Sequence, residues 1–291
     1  MRKVGIGVEN VGQGKIFTDE MAMIKAAGFD GLDLNLSVRF IRELSHTADA
    51  AKAAREIRRQ VDDAGLEIFQ AHAPFNPYNT RKPENAAAVL ADLPASIEFA
   101  AEIGVPYLVC HPCRPMYTDD PLYPKRDELI AKNIEMYKGL CKQAEGTGVT
   151  ICTENMFSRV ADTERCTPGT VSFARDLNEI MDAVPGLCVC LDFGHALVTG
   201  QQPADLVREF GKRLKITHLH NNDRKEDLHL SPFEMKTDVW EPFGKAMKEI
   251  GYEGAMTLEV VHFNEQVPVS LRPSMYRFLF DSISLVRDMA E

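Results

Sequence analysis

The sequence has few of the features that mark membrane, secreted or disulfide-bonded proteins. No run of about 18 apolar residues occurs, so we expect no transmembrane helix. The apolar residues near the start give way at once to Glu9 and Asn10, which argues against a secretory signal. The seven cysteines are odd in number and scattered along the chain, unlike the pattern of a disulfide framework. We therefore expect a cytoplasmic protein with no membrane partner.

The common phosphate-binding and hydrolase motifs are also missing. The G-x-G at Gly5–Gly7 lacks the third glycine of a dinucleotide fingerprint, because position 10 is Asn10. No Walker A motif, nucleophile elbow or H-E-x-x-H motif is present, and no glycine-rich loop is available to bind a phosphate. A single C-x-x-C, at Cys110 and Cys113, lacks the second pair that a structural zinc site needs. The simpler interpretation of Cys110 is a small buried side chain, and a redox pair is the alternative.

The composition is that of an ordinary globular protein. Of 291 residues, 45% are hydrophobic and 26% are charged, which excludes disordered, collagen-like and fibrous classes. The formal net charge of −10 does not favour a general nucleic-acid binder, although an acidic protein can still carry a local basic groove. A chain of this length forms one large or two small domains and needs no structural metal to fold. A metal found here would therefore serve chemistry.

Eight strands alternate with eight helices in the predicted secondary structure. Short β-branched runs, each followed by a polar turn and an amphipathic stretch, produce this pattern. Four predicted helices end at Gly28, Gly65, Gly104 and Gly251, where a left-handed C-cap suits glycine. The predicted strands are Val4–Val8, Leu32–Leu36, Glu67–His72, Tyr107–His111, Val149–Glu154, Cys188–Asp192, Lys215–His220 and Met256–Val260. The predicted helices lie near residues 18–27, 47–64, 84–103, 126–146, 169–183, 203–213, 240–250 and 270–289.

This strict alternation predicts the fold. Parallel strands joined by right-handed crossovers are the expected result, and eight such units close into a (β/α)8 TIM barrel. No linker or change of composition divides the chain, so we expect a single domain that spans residues 1–291. An open doubly wound sheet is the alternative, but it usually has fewer units and often begins with a glycine-rich loop.

Histidines and carboxylates concentrate at the ends of the predicted strands. In a TIM barrel the catalytic groups come from the C-terminal strand ends and the loops that follow them. Six of the eight predicted strands end on a residue that can bind a metal, and further candidates follow in the next loops. These residues are His72, His111, Glu154, Asp192, His220 and Glu259, followed by His195, Asp223, Asp227 and His229.

A cation would explain the three carboxylates among these strand ends. A single histidine at a strand end more often makes a structural hydrogen bond than binds a metal. A buried ionised carboxylate is rarer, because it destabilises the protein unless it is paired or metal-bound. Glu154, Asp192 and Glu259 would repel each other at one barrel mouth without a cation, so we expect a divalent metal site there. His218, one layer deeper, is interpreted as a buried packing or supporting residue.

Several short motifs resemble those of a known superfamily. They are Ala27–Asp33, Cys152–Asn155, Leu191–His195, His218–Asp223, Asp227–His229, Gly251–Gly254 and Leu258–Glu259. With these motifs in this order, the chain resembles the xylose isomerase-like superfamily of barrels. That superfamily includes sugar isomerases, ketose 3-epimerases, inosose dehydratases and endonuclease IV. The resemblance covers nearly the whole chain, and it is specific for the superfamily rather than for one activity.

The isomerase and epimerase branch implies a metal-dependent enzyme that acts on a sugar or polyol. The ligands that the resemblance implies for a divalent Mn, Mg, Co or Zn ion are Glu154, Asp192, His220 and Glu259. It also implies that Glu154 and Glu259 are catalytic and exchange a proton on opposite sides of the bound sugar, through an enediolate. His195 would lie near the substrate oxygens, and Arg224 would contact the substrate.

Two other functions stay open. Endonuclease IV implies a three-zinc phosphodiesterase that acts on abasic DNA, and all nine implied ligand positions carry a suitable residue. They are His72, His111, Glu154, Asp192, His195, His220, Asp227, His229 and Glu259. The negative net charge of the chain and the small number of basic residues in the strand-end loops argue against DNA as the substrate. The other function is a non-catalytic barrel that binds a sugar acid or polyol.

The sequence departs from the superfamily after the seventh predicted strand. Members commonly carry Pro-x-Gly-x-Gly there, whereas Leu230–Lys236 contains no glycine. We therefore expect this loop to be different, and no substrate contact is inferred from it. The sequence does not determine the oligomeric state, and a homo-oligomer is one of the states that it leaves open.

Overall fold

Eight parallel strands form the centre of the protein. The computed structural model describes residues 1–36, 49–235, 238–260 and 267–291. The parallel strands are β1 (Val4–Val8), β2 (Gly31–Asn35), β3 (Glu67–His72), β4 (Tyr107–Val109), β5 (Thr150–Glu154), β8 (Cys188–Asp192), β9 (Leu214–His218) and β10 (Met256–Leu258). A separate antiparallel pair, β6 (Ser158–Arg159) and β7 (Cys166–Thr167), follows β5.

Two backbone hydrogen bonds close the sheet into a barrel. The Leu219 N–H donates to the Thr257 carbonyl at 2.8 Å, and the Glu259 N–H donates to the Leu219 carbonyl at 3.2 Å. They join the end of β9 to β10, which pairs with β1 on its other side. The parallel strands then follow one another around the barrel in chain order, as in a TIM barrel. The predicted single-domain TIM barrel is confirmed, and the doubly wound alternative is excluded.

Helices follow the strands and cover the outside of the barrel. The four predicted C-cap glycines have positive φ, from 65° at Gly251 to 116° at Gly28. Among the described residues, no helix combines the length and the hydropathy that crossing a bilayer needs. Positions 47–48 of the predicted helix 47–64 lie outside the described residues. Lys236, in the loop after β9, also lies outside them. The helices are Lys15–Ala27, Ala50–Asp63, Pro83–Ile103, Arg126–Ala144, Ala174–Ala183, Phe193–Val198, Pro203–Phe210, Trp240–Glu249 and Arg272–Ala290.

Two short elements near the barrel mouth have no counterpart in the prediction. The helix Phe193–Val198 has six residues, too few to show a helical period in the sequence. Asp192 caps this helix, because its carboxylate accepts a hydrogen bond from the His195 N–H at 2.6 Å. β6 and β7 have two residues each, which is too short for a recognisable alternation. Each element contributes a side chain, His195 or Arg159, to the cavity at the barrel mouth.

Cysteines fill part of the barrel interior. Cys152 and Cys190 pack with Val109 and Ile216 in a cluster separate from the main core. Burial raises the pKa of both thiols far above the usual range, so they are uncharged packing groups. Both lie two positions before a carboxylate at the end of β5 or β8, so strand alternation predicts that they face the barrel interior, in agreement with this cluster. Cys110 belongs to the main core instead, in agreement with its interpretation as a small buried side chain.

The parallel strands end at one rim, which is where the predicted site residues lie. β3, β5 and β8 end on a candidate metal ligand, as predicted. β4, β9 and β10 each end two residues earlier than predicted, so that His111, His220 and Glu259 belong to the loops that follow. The chain therefore presents strand residues and loop residues around the same opening.

Candidate active site

Six histidines, every histidine in the described part of the chain, surround buried carboxylates at the barrel mouth. A cavity of about 440 Å³ opens from this cluster. Its volume falls within the range of roughly 300–1,000 Å³ that is typical of small-molecule sites. The polar wall includes Glu154, Asp227 and Glu259, and the apolar wall includes Phe75, Met156 and Phe157.

The two predicted catalytic glutamates meet at one imidazole. His218 Nδ1 lies 3.1 Å from Glu154 Oε1 and 3.6 Å from Glu259 Oε2. Asp192 Oδ2 lies 4.0 Å from the same nitrogen. His220 Nε2 in turn lies 3.1 Å and 3.2 Å from the two Asp192 oxygens. The fold therefore brings together the four residues that the resemblance implies as metal ligands.

A second group of ligand-type side chains adjoins Glu154. His111 Nε2 lies 3.0 Å from Glu154 Oε2 and 3.0 Å from His72 Nε2. The ligand atoms of His72, His111 and Glu154 lie within 4.8 Å of one another, close enough to share one ion. These two additional candidates are thus placed beside the four implied ligands.

A third group lies on the other side of the cluster. Asp227 Oδ2 is 3.2 Å from His229 Nε2 and 3.5 Å from His195 Nε2. Its other oxygen lies 3.8 Å from His220 Nε2. All nine predicted ligand positions therefore converge on the barrel mouth.

Backbone carbonyls orient three of these histidines. Nδ1 of His72 donates to the Ala73 carbonyl at 2.7 Å, and Nδ1 of His195 donates to the Asn155 carbonyl at 2.9 Å. Nδ1 of His229 donates likewise to a backbone carbonyl, at 2.9 Å. In a neutral ring this leaves the lone pair on Nε2, which points into the cluster. Metal-binding histidines are held by the same arrangement.

The carboxylates also fit a cation. Glu154 Oε2 and Asp227 Oδ1 are buried. Each has an imidazole nitrogen nearby, at 3.0 Å and 3.8 Å, but neither makes a hydrogen bond of good geometry to a described residue. Burying such an oxygen without a well-formed hydrogen bond is unfavourable. Mixed imidazole and carboxylate donors are typical ligands of divalent transition metals. The residues present are therefore suited to hold a divalent ion.

The two glutamates differ in their charge environment. Burial raises the pKa of Glu259 above its usual value. Burial also opposes the ionisation of Glu154, but the positive charge of His218 outweighs it and holds the pKa of Glu154 well below its usual range. The pKa values of the two carboxyls are thus shifted in opposite directions, which is the asymmetry of an acid and base pair.

The surroundings of the histidines shift their pKa values in opposite directions. Burial lowers the pKa of His111 to about 4, so this ring is neutral at neutral pH. Burial acts in the same direction on His195, but Asp192 and Asp227 overcome it and raise the pKa of His195 to about 9. The cluster therefore holds both neutral and protonated imidazoles.

His218 has a further partner that the sequence did not reveal. Its Nε2 lies 2.9 Å from Asp33 Oδ2, which also accepts a hydrogen bond from Gln70 at 2.9 Å. Asp33 is part of one of the recognised motifs, but it lies on β2, far along the chain from His218. The polar residues Asp33 on β2 and Gln70 on β3 are the sequence feature that could have indicated this buried contact. His218 thus supports Glu154 from below, in line with its predicted role as a buried supporting residue.

Two residues named in the sequence lie away from the cavity. Arg224 has a side chain that is 48% exposed, and its nearest acidic partner is Asp238, at 3.7 Å. It is not among the residues that line the cavity. Asp223 accepts hydrogen bonds from the N–H groups of Lys225 and Glu226 and so stabilises its own turn. A substrate contact by Arg224 stays a prediction.

The family of the chain follows from a match that covers most of its length. Residues 21–276 match the model of a family described as xylose isomerase-like TIM barrel. The chain belongs to this family. No curated protein matches the sequence. The barrel, closed by β9 and β10, is the fold expected of a xylose isomerase-like protein.

Solved structures share this fold over essentially the full chain. A D-tagatose 3-epimerase-like protein is 20% identical with a TM-score of 0.70, covering 100% of both chains. A D-psicose 3-epimerase, crystallised in the presence of D-fructose, is 18% identical with a TM-score of 0.71, covering 100% of this chain and 99% of its own. A 3-keto-D-glucoside 4-epimerase from E. coli is 15% identical with a TM-score of 0.72, covering 99% and 100%. At these identities the likeness concerns the fold.

Proposed function

We propose that this protein is a divalent-metal-dependent isomerase or epimerase of a sugar or polyol derivative. One observation carries the proposal: two glutamates from different parts of the barrel, the buried Glu154 and the 14% exposed Glu259, approach one histidine and line one cavity of small-molecule size. Carboxylates in this position can remove and return a proton beside a carbonyl group. Xylose isomerase-like proteins with similar folds include the ketose 3-epimerases named above, and we extend their reaction class to this chain.

The metal in this proposal is held by Glu154, Asp192, His220 and Glu259. When bound, a divalent ion acts as a Lewis acid that stabilises negative charge on the carbonyl and hydroxyl oxygens of the substrate. The protein itself supplies the proton transfer. One glutamate removes the proton from the carbon next to the carbonyl, and the other returns it to the opposite face or to the neighbouring carbon.

Nearby residues prepare the glutamates for this task. The hydrogen bond between His218 Nδ1 and Glu154 Oε1 fixes the position of that carboxylate. Phe75, Met156 and Phe157 form an apolar wall that limits the access of water to the reacting carbon. His195, held by the Asn155 carbonyl, is available to donate a hydrogen bond to a substrate oxygen from Nε2.

A solvent-exchange experiment tests the proposal. The purified protein, supplied with Mn²⁺, Mg²⁺, Co²⁺ or Zn²⁺, is incubated in deuterated water with a panel of ketoses and inositol derivatives. We expect deuterium to enter the carbon next to the carbonyl of at least one compound, as measured by mass spectrometry or NMR. Tight binding without exchange on any compound would contradict catalysis and support a non-catalytic sugar-binding barrel.

A zinc phosphodiesterase of the endonuclease IV type is a second candidate function. The observation that favours it is the presence of two further ligand groups, His72 with His111 and His195 with Asp227 and His229. It requires two or three zinc ions per chain and cleavage of abasic DNA. One ion per chain, together with no cleavage of an abasic oligonucleotide, would exclude it.

Gly194→Ala tests the metal site without removing a ligand. A methyl group at Gly194 would overlap the His220 ring, so the ring must leave its place beside Asp192. We expect metal affinity to fall at least tenfold, measured by titration of the metal-free protein. Gly139→Ala is the matched control, because no atom lies near its added methyl group within the helix Arg126–Ala144. Unchanged affinity in Gly194→Ala would argue against His220 as a ligand.

A further inference from the structure

We propose that the substrate of this site carries an anionic group, a carboxylate or a phosphate, which Arg114 and Arg159 bind at one side of the cavity. The proposal rests on the proposed function in one respect, namely that the cavity above the glutamates is the substrate site. Arg114 and Arg159, here called the arginine pair, both line that cavity together with Glu154 and Glu259. The sequence indicated few basic residues in the strand-end loops, and the arginine pair consists of two that line the cavity.

Arg114 is buried without a full set of partners. Only 6% of the residue is exposed. Its Nη1 donates to the Phe157 carbonyl at 2.5 Å, whereas its Nε, also buried, makes no hydrogen bond to any described residue. Within the described ranges, no carboxylate lies within 4.0 Å of its guanidinium. The Nε donor of this cavity-lining side chain is therefore unused.

A buried and unpaired guanidinium is energetically unfavourable. Charged groups are rarely buried unless they are paired. Burial, with repulsion from Arg159, lowers the pKa of Arg114 to about 10, so it still carries its charge at neutral pH. The nearest acidic groups are already engaged with histidines, as in the contact of Asp227 with His229. An anion supplied by the ligand would complete the coordination of Arg114.

Arg159 places a second positive charge beside the first. The guanidinium carbons of Arg114 and Arg159 lie 5.0 Å and 5.4 Å from the centre of the Phe157 ring. Arg159 is 27% exposed, and its Nε lies 3.3 Å from Glu164, which is itself 73% exposed. A solvent-exposed ion pair of this kind is weak. Two guanidinium groups that lie near the same aromatic ring and line the same cavity are the arrangement expected at an anion-binding site.

The arginine pair and the two glutamates line the same cavity. If the carbonyl end of a sugar lies over Glu154 and Glu259, another part of the same molecule would reach the arginine pair. A neutral ketose has no group that needs two guanidinium ions. Carboxylate and phosphate both match the donor geometry of arginine, which requires no glycine-rich loop.

Paired substrates test this inference. The metal-loaded protein is given D-fructose, D-tagatose and D-psicose, each as the neutral ketose, the 6-phosphate and the uronate, and binding is measured by calorimetry alongside deuterium exchange. We expect one anionic form to bind at least tenfold more tightly than its neutral counterpart, and the comparison of uronate with phosphate identifies the anion. We expect Arg114→Gln to lose that preference while its affinity for the neutral ketose changes less than threefold.

Control variants separate anion recognition from a structural role. Arg159→Gln should reduce the preference by a smaller factor, and Arg114→Lys should retain part of it. Arg175→Gln removes an arginine that lies over Phe173 outside the cavity and should have no effect. Equal losses for neutral and anionic forms in Arg114→Gln would show a structural role and overturn the proposal. If Arg114→Gln does not fold, the wild-type preference and Arg159→Gln decide the outcome.

The results also distinguish this inference from the proposed function. Tight binding of an anionic sugar that depends on Arg114, without deuterium exchange on any compound, would support the anion site and contradict the isomerase. Exchange on neutral ketoses with no preference for anionic forms would support the isomerase and contradict the anion site.

Discussion

Replacing either glutamate with glutamine, in Glu154→Gln or Glu259→Gln, is expected to lower the rate of solvent deuterium exchange by about 10² to 10⁴, the usual contribution of a general acid or base. Glutamine has nearly the same shape as glutamate but cannot accept or return the proton. In the proposed mechanism the two carboxylates act in succession on one carbon or on neighbouring carbons, so the loss of either one slows net turnover. The exchange rate at saturating metal and substrate is the measurement.

Metal content must be measured on the same variants, because both glutamates are also proposed ligands. If a variant has lost the ion, the exchange rate is repeated at metal concentrations that restore binding. Glu145→Gln alters an exposed carboxylate after the helix Arg126–Ala144 and is the control for the substitution itself. Exchange within a factor of ten of the wild-type rate in both site variants would refute the assigned catalytic roles.

Removal of the metal is expected to destabilise the protein. A ligand that binds only the folded state stabilises it by about 2.7 kcal/mol at a concentration 100 times its Kd. Treatment with a chelator should therefore lower the Tm by several degrees, and Mn²⁺, Mg²⁺, Co²⁺ or Zn²⁺ should restore it. The effect should be large here, because Asp192 and Glu259 repel each other in the buried cluster when no cation is bound.

Variants of single ligands test where that ion binds. His220→Ala and Glu259→Gln should lose the metal-dependent rise in Tm, whereas Asp127→Asn, at a fully exposed site, should retain it. Elemental analysis of the purified protein then gives the number of ions per chain. Absence of metal from the protein, together with no response of the Tm to any of the four added ions, would contradict the metal-dependent mechanism.

Much of the barrel could be predicted from the sequence because its signals are local. Each strand is a short apolar run and each following helix is amphipathic, so the positions of the eight parallel strands agree with the prediction to within a few residues. Alternation along β5 and β8 also predicted that Cys152 and Cys190 face the interior together with Glu154 and Asp192. Since all parallel strands end at one rim, the convergence of these carboxylates followed from the fold class.

Other parts of the site depend on contacts between distant segments. Asp33 supports His218 across 185 positions of the chain, and no local pattern connects the two. The short helix Phe193–Val198 and the β6–β7 pair have too few residues to be detected by periodicity, yet they position His195 and Arg159. The loop after β4 that carries Arg114 has no repeating pattern that would indicate its path.

The sequence by itself determined the fold class, the rim at which the site lies and the residue types that gather there. These follow from periodicity and from the common direction of parallel strands, both of which are properties of short segments. Only the tertiary structure decided which histidine nitrogens face the cluster and how burial and neighbouring charge separate the pKa of Glu154 from that of Glu259. It also decided that Arg114 is buried at the cavity with an Nε that makes no hydrogen bond to a described residue. Burial, charge and hydrogen bonding depend on what surrounds each side chain, and those surroundings come from segments far apart in the chain.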